Sequence, residues 1–208
     1  MVPDFDKYLN EFENNTISAK YARWGMFYSE AFIFSCFCKH YDVDIILESG
    51  TCLGAATNML ALALPSVQIY TFDTESRGAS VNAKSDLSST KYQEARNKLN
   101  KLNNVEAFIG DGCKKLPEFV KNNQNKKIAL LIDGPKGQSA NQLARKCLDK
   151  QNVKFAGIHD QSFPENQLQF YCTQSSQKYS FLDKRQDTGH PVPLHKYPKG
   201  PGLCIYWK

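Results

Sequence analysis

The sequence predicts an α/β fold: an open, mostly parallel sheet with helices packed on both faces. Two observations carry this. Five short β-rich runs alternate with segments whose apolar residues recur at helical spacing, the pattern of strand–helix–strand units. One run, "IALLI", is apolar without interruption, as a strand buried on both faces must be. A third observation concerns function: each run ends in an acid, the fifth in a histidine–acid pair.

The elements follow in chain order. From Met26 to Tyr41, residues Phe27, Ala31, Phe34, Cys38 and Tyr41 fall at alternating four- and three-residue spacings, one face of a helix. Ile45–Leu47 is a short buried strand ending in Glu48. Gly50 and Gly54 turn the chain into a helix over Ala55–Leu64, which stops at Pro65. "VQIYTFD" is a second strand ending in Asp73, and Tyr92, Ala95, Leu99 and Leu102 form the stripe of the next helix. "VEAFIGDG" is a third strand ending in Asp111, followed by a short helix around Leu116–Val120. "KIALLIDGPKG" ends in Asp133, and Ala140, Leu143, Ala144, Cys147 and Leu148 mark one more helix. "KFAGIHD" closes the series at His159-Asp160. Beyond it, "KYSFLDKRQD" and "GLCIYWK" read as two further strands around a Pro-, Gly- and His-rich loop, "TGHPVPLHKYPKGP". Loops of that length are commonly functional or disordered.

The bulk properties bound the reading. A chain of 208 residues accommodates one α/β domain, residues 1–208. Within it, 1–42 is a helical lead-in, 43–160 the ligand-binding core, and 161–208 a C-terminal helix, strand pair and substrate-side loop. No window approaches the roughly 18 apolar residues of a membrane span. Met1–Asn15 is acidic and lacks an apolar core, unlike a signal peptide, so an intracellular, cytoplasmic location is the default expectation. The seven cysteines are odd in number and form no C-x-x-C pair, so reduced thiols packed as small hydrophobes are expected. A net charge of +5, spread along the chain, permits an anionic substrate or nucleic acid without demanding either. Oligomeric state is left open.

In an open parallel sheet, ligands bind beyond the carboxyl ends of the strands, where strand order reverses. Acids gathered there need partners. A dinucleotide fingerprint, G-x-G-x-x-G, would need glycine at 52 and 55, where the chain has Cys52 and Ala55. A phosphate-cradling G-x-x-x-x-G-K-[ST] loop is absent. What stands is E-x-G-x-x-x-G, whose leading Glu48 repels phosphate and favours a cationic or hydroxyl-rich ligand.

From Val43 to Asp160 these residues resemble the class I S-adenosylmethionine-dependent methyltransferases. "LESGTCLG" (Glu48, Gly50, Thr51, Gly54) is similar to the glycine turn that holds the methionine part of the cofactor. "YTFDT" resembles the second motif, so Asp73 would take the ribose hydroxyls; "FIGDG" resembles the third, with Asp111 toward the adenine amino group and Gly112 lining its pocket. The resemblance implies a Rossmann-like sheet of about seven strands whose last strand is antiparallel, which accounts for the two strands in the tail.

The E-x-G-T-x-x-G form resembles the branch of small-molecule and sugar O-methyltransferases. Many members of that branch hold a divalent cation, such as Mg2+, at the ends of strands four and five. The matching residues are Asp133, His159 and Asp160. Methyl transfer from a sulfonium needs mainly positioning, and a hydroxyl acceptor must also lose a proton. Asp133 and Asp160 are hard oxygen ligands. His159 has three readings: general base, metal ligand, or a packed strand-end residue. Asp133 and His159 are the catalytic candidates. Lys136 either steers an anionic substrate or pairs with a carboxylate. Trp24, Phe27, Tyr28, Ser29, Glu30, His190, His195 and Tyr197 are candidates for the acceptor pocket.

The leading expectation is a methyltransferase acting on a hydroxyl of a small molecule or sugar. The alternatives are a metal-independent methyltransferase for nucleic acid or protein, and a non-catalytic cofactor-binding module of the same fold. Against nucleic acid stand the lack of a basic stripe with interleaved aromatics and of an appended binding domain.

Overall fold

Runs that are buried end to end take the middle of the sheet, and runs with exposed side chains take its edge. In the computed structural model, which describes residues 1–18, 26–74, 89–161, 168–173, 178–179, 182–183 and 202–208, every residue of β1 (Ile45–Ser49) and β4 (Ile128–Ile132) is buried. These two strands pair in parallel at the centre. On one side of β1 lie β2 (Gln68–Asp73) and β3 (Val105–Ile109), whose Phe108 and Ile109 are exposed at the sheet edge. On the other side of β4 lie β5 (Val153–Gln161), β7 (Gly202–Trp207) and β6 (Gln169–Cys172). The order is β3-β2-β1-β4-β5-β7-β6, with β1 to β5 parallel and β7 antiparallel to both its neighbours. Strand order thus reverses between β1 and β4, the place where open parallel sheets bind ligands.

Two apolar layers sandwich the sheet. One packs α2 (Tyr28–His40), α3 (Ala55–Ala63), Leu99 of α4 (Ser89–Leu99) and Phe12 of α1 (Asp6–Thr16). The other packs α5 (Gly112–Asn122) and α6 (Gln138–Leu148). Helix α2 is buried continuously from Glu30 to Cys38, more than its single sequence stripe implies, because α1 covers its outer side. Phe32 meets Phe5 and Phe12 there, while Phe34 and Phe37 pack edge-on or tilted against Phe155 of β5. Gly157 permits this approach, since a Cβ there would lie 2.9 Å from the Phe34 ring.

The sixth strand is not "KYSFLDKRQD" but Gln169–Cys172. Of the expected stretch, residues 178–179 and 182–183 are described and take a tight helical rather than extended conformation, with Tyr179 and Leu182 buried; the rest lies outside the described residues. Cys172 and Cys204, directly opposed on β6 and β7, form a disulfide; this corrects the expectation of seven free thiols, and Cys36, Cys38, Cys52, Cys113 and Cys147 remain free. The loop at 188–201, with His190, His195 and Tyr197, lies outside the described residues, as do Trp24 and any helix at 162–167. No helix among the described residues is long and apolar enough to cross a membrane.

Candidate active site

The β1 end is built first by a backbone lock. Ser49 O accepts from Asp133 N–H at 2.8 Å and Gly134 N–H at 2.9 Å, and Ser49 Oγ donates to Gly134 O. This straps the turn after β4 onto the end of β1. Gly50, at φ +97°, sits against that turn so closely that a Cβ would lie 2.7 Å from Gly134 N. Asp73, at the end of β2, accepts the Cys52 N–H at 2.7 Å. Cys52 is held at φ +49°, a left-handed conformation that suits glycine better than cysteine. Helix α3 starts at Gly54 with no side-chain cap, so its first N–H groups open toward the strand ends.

Other residues of the expected cofactor set turn inward. Glu48 is buried and accepts from Thr57 Oγ1 of α3. Burial pushes its carboxyl up to about 7, and the negative charges of Asp133 and Asp73 add to the rise. Thr51 pairs with Thr71 in the sheet. Gly54 backs onto Leu99 of α4, and Gly112 backs onto Ser49, where a Cβ would overlap the hydroxyl. Asp111 caps α5 by accepting the Cys113 N–H at 2.9 Å. Gly50, Cys52 and Asp73 thus form the turn itself, while Glu48, Thr51, Gly54 and Gly112 are committed to its packing.

At the ends of β4 and β5 a five-membered charged cluster forms. A bulge in the β5–β7 register between Ile158 and Gln161, with Asp160 at φ +59°, brings His159 and Asp160 to one side instead of opposite faces. His159 Nδ1–H donates to Asp133 Oδ1 at 2.9 Å, and its Nε2–H to Glu30 Oε2 at 3.1 Å. Glu30, from the first turn of α2, also accepts the Phe27 N–H and the Leu203 N–H, each at 3.0 Å. Lys136 Nζ donates to Asp133 Oδ1 and, at 2.7 Å, to Asp160 Oδ2.

The charges set one another. Burial disfavours the His159 cation, but Glu30 and Asp133 outweigh it and hold its pKa well above the ordinary value. Burial likewise opposes the Asp133 anion, yet His159 and Lys136 bring its carboxyl down to about 2. The Lys136 ammonium is raised by Asp133 and Asp160 against its own desolvation. His159 therefore stands as an imidazolium with both ring nitrogens committed.

The three residues read as metal ligands do come together: ligand atoms of Asp133, His159 and Asp160 lie within 4.8 Å of one another. Their chemistry as folded does not fit a divalent cation. An imidazolium has no lone pair to give, and an ammonium already bridges the two carboxylates. Side-chain exposure rises outward along the cluster, from Glu30 at 3% and His159 at 12% through Asp133 at 19% to Asp160 at 40% and Lys136 at 48%. Lys136 and Asp160 are the members a ligand can meet.

Two contributions were missed in the sequence. Glu30 was read only as a pocket candidate, although Phe27 followed by Glu30 three residues on is half of a helix-start signal. The bulge that sets Asp160 beside His159 has no sequence signature. Asp183 accepts from Ser29 N–H and Ser29 Oγ, both at 2.8 Å, tying the tail to the start of α2; burial lifts its carboxyl to about 6. A cleft of about 700 Å³ lies between the C-terminal ends of α5 and α6, lined by Val120, Gln124 and Asn152, at the opposite edge of the sheet from this chemistry.

No family model matches the sequence, and no curated protein does. Solved structures do match. An O-methyltransferase from Bacillus cereus, solved in complex with SAH, superposes with a TM-score of 0.52 at 14% identity, over 100% of this chain and 93% of that one. A Klebsiella pneumoniae structure, named for O-methyltransferase activity, gives a TM-score of 0.52 at 14% identity, over 98% of this chain and 88% of that one. What is shared at such identity is architecture, and the chain has the fold of the class I S-adenosylmethionine-dependent methyltransferases.

Proposed function

We propose that the chain is an S-adenosylmethionine-dependent methyltransferase that transfers a methyl group to a hydroxyl of a small molecule or sugar. The observation that carries this is the glycine turn at the β1 end. Gly50, the left-handed Cys52 and the uncapped start of α3 converge beside Asp73, at the edge where strand order reverses. The shared fold with an O-methyltransferase solved with SAH agrees with that ligand.

The cofactor, when bound, supplies an electrophilic methyl group on a sulfonium. In this reading the α3 N-terminus and the Gly50 turn take its methionine part, Asp73 its ribose hydroxyls, and Asp111 the adenine side. The acceptor hydroxyl meets the outer pair of the charged cluster. Asp160 receives its proton, and Lys136 offsets the negative charge that builds on the oxygen. His159, Asp133 and Glu30 are positioning residues: they fix the Lys136–Asp160 pair from within.

Transfer of a labelled methyl group from S-adenosylmethionine to a panel of sugars and hydroxylated aromatics tests the reading. Transfer that Asp160→Asn abolishes while cofactor binding persists supports it. Bound cofactor with no transfer to any hydroxyl acceptor, but transfer to RNA or a protein, would replace the acceptor assignment.

A further inference from the structure

We infer that Lys136 occupies the place of a divalent cation, so that the strand-end cluster is neutralised from within the chain and works without a metal. The inference deepens the methyltransfer reading, on which its functional meaning rests. Its geometry and its test do not depend on methyl transfer.

Consider what a divalent cation would need at this edge. Hard cations take several oxygen ligands, chiefly carboxylates, and imidazole binds a metal only as the neutral base. The ends of β4 and β5 offer Asp133, Asp160 and His159, a plausible set by type. The chain has arranged them otherwise. Lys136 lies three residues after Asp133 on the turn that Ser49 straps to β1, and its ammonium reaches both carboxylates at once. Asp133 Oδ1 accepts from Lys136 and from His159 together. The second ring nitrogen of His159 is taken by Glu30, itself fixed by two backbone N–H groups from α2 and β7. A metal would have to displace the ammonium and break the contacts that His159 makes with Asp133 and Glu30.

The test is a Mn2+ titration of the whole chain, read by loss of the free-ion electron paramagnetic resonance signal. Wild type is compared with Lys136→Met and Lys136→Gln, which keep the stem and remove the charge; far-UV circular dichroism checks the fold of each. The expected result is that wild type binds Mn2+ no better than Asp133→Asn, while at least one Lys136 variant tightens binding about tenfold or more. Wild-type binding that Asp133→Asn abolishes and Lys136→Met leaves unchanged would overturn the inference. So would folded Lys136 variants that gain no affinity, because the ammonium would then not be what fills the place. Loss of methyl transfer alone, with Mn2+ behaviour as expected, would count against the proposed function and not against this.

Discussion

His159 and Glu30, 129 residues apart in the chain, meet at 3.1 Å through Nε2–H and Oε2. The contact ties the start of α2 to the end of β5, and through the Leu203 N–H to β7 as well. A buried carboxylate from a distant element thereby joins Asp133 in favouring the charged form of the histidine at the centre of the candidate site.

Removing Glu30 should therefore have two separable effects. Glu30→Ala leaves the Phe27 N–H, the Leu203 N–H and the His159 cation without their acceptor, and should destabilise the fold by roughly 3 kcal/mol in urea denaturation. Glu30→Gln fills the same space without the charge. It should lower the His159 pKa toward its ordinary value, read by NMR titration of the ring. An unchanged His159 titration in Glu30→Gln would contradict the account.

Stability should depend on pH with a definite sign. His159 is raised when folded, so the stability it contributes is present below its unfolded pKa and is lost as pH rises through the folded one. Glu48, raised from 4.5 to about 7 by burial, acts in the same direction across that interval. Asp133 is brought down from 3.8 to about 2, so its contribution is lost as pH falls between those values. The three together predict greatest stability between about pH 4 and pH 5, with a decline through neutrality. Glu48→Gln should flatten the part of the decline between pH 4.5 and 7. A stability that rises from pH 5 to 8 would refute these assignments.

Backbone crowding at the β1 end gives a third expectation. Gly50→Ala forces a Cβ to 2.7 Å from Gly134 N and 2.9 Å from Asp133 C at a φ of +97°, and both contacts are with backbone that has little freedom to yield. The loss should be roughly 3 kcal/mol or more, measured by thermal or urea unfolding. Gly112→Ala should also destabilise, through Ser49, and Ser49→Gly should recover part of that loss. Simple additivity of the two would show that the collision does not exist.

Much of this fold was legible in the sequence because local signals agreed with one another. The runs ending at Glu48, Asp73, Asp111, Asp133 and Asp160 each combine an apolar core with a following turn, and each became a strand with its acid within two residues of its end. The tail was read less well, because Tyr179 and Leu182 are apolar without alternating, and the true sixth strand is only four residues long. The Cys172–Cys204 pair was illegible for a different reason: two cysteines 32 residues apart announce nothing until the strands that carry them are paired. In the site, residue types were legible and roles were not. Lys136 was rightly noticed as a neighbour of Asp133, but its reach to Asp160 depends on a bulge, and the state of His159 depends on Glu30 from another element.

The most direct measurement of the central claim is calorimetric titration with S-adenosylmethionine and S-adenosylhomocysteine, on wild type and on Asp73→Asn. The account predicts micromolar binding of both ligands by wild type and at least about tenfold weaker binding by the variant, which loses the carboxylate beside the glycine turn. Absence of binding by folded wild type, or binding that Asp73→Asn leaves untouched, would contradict the assignment of that turn to this cofactor.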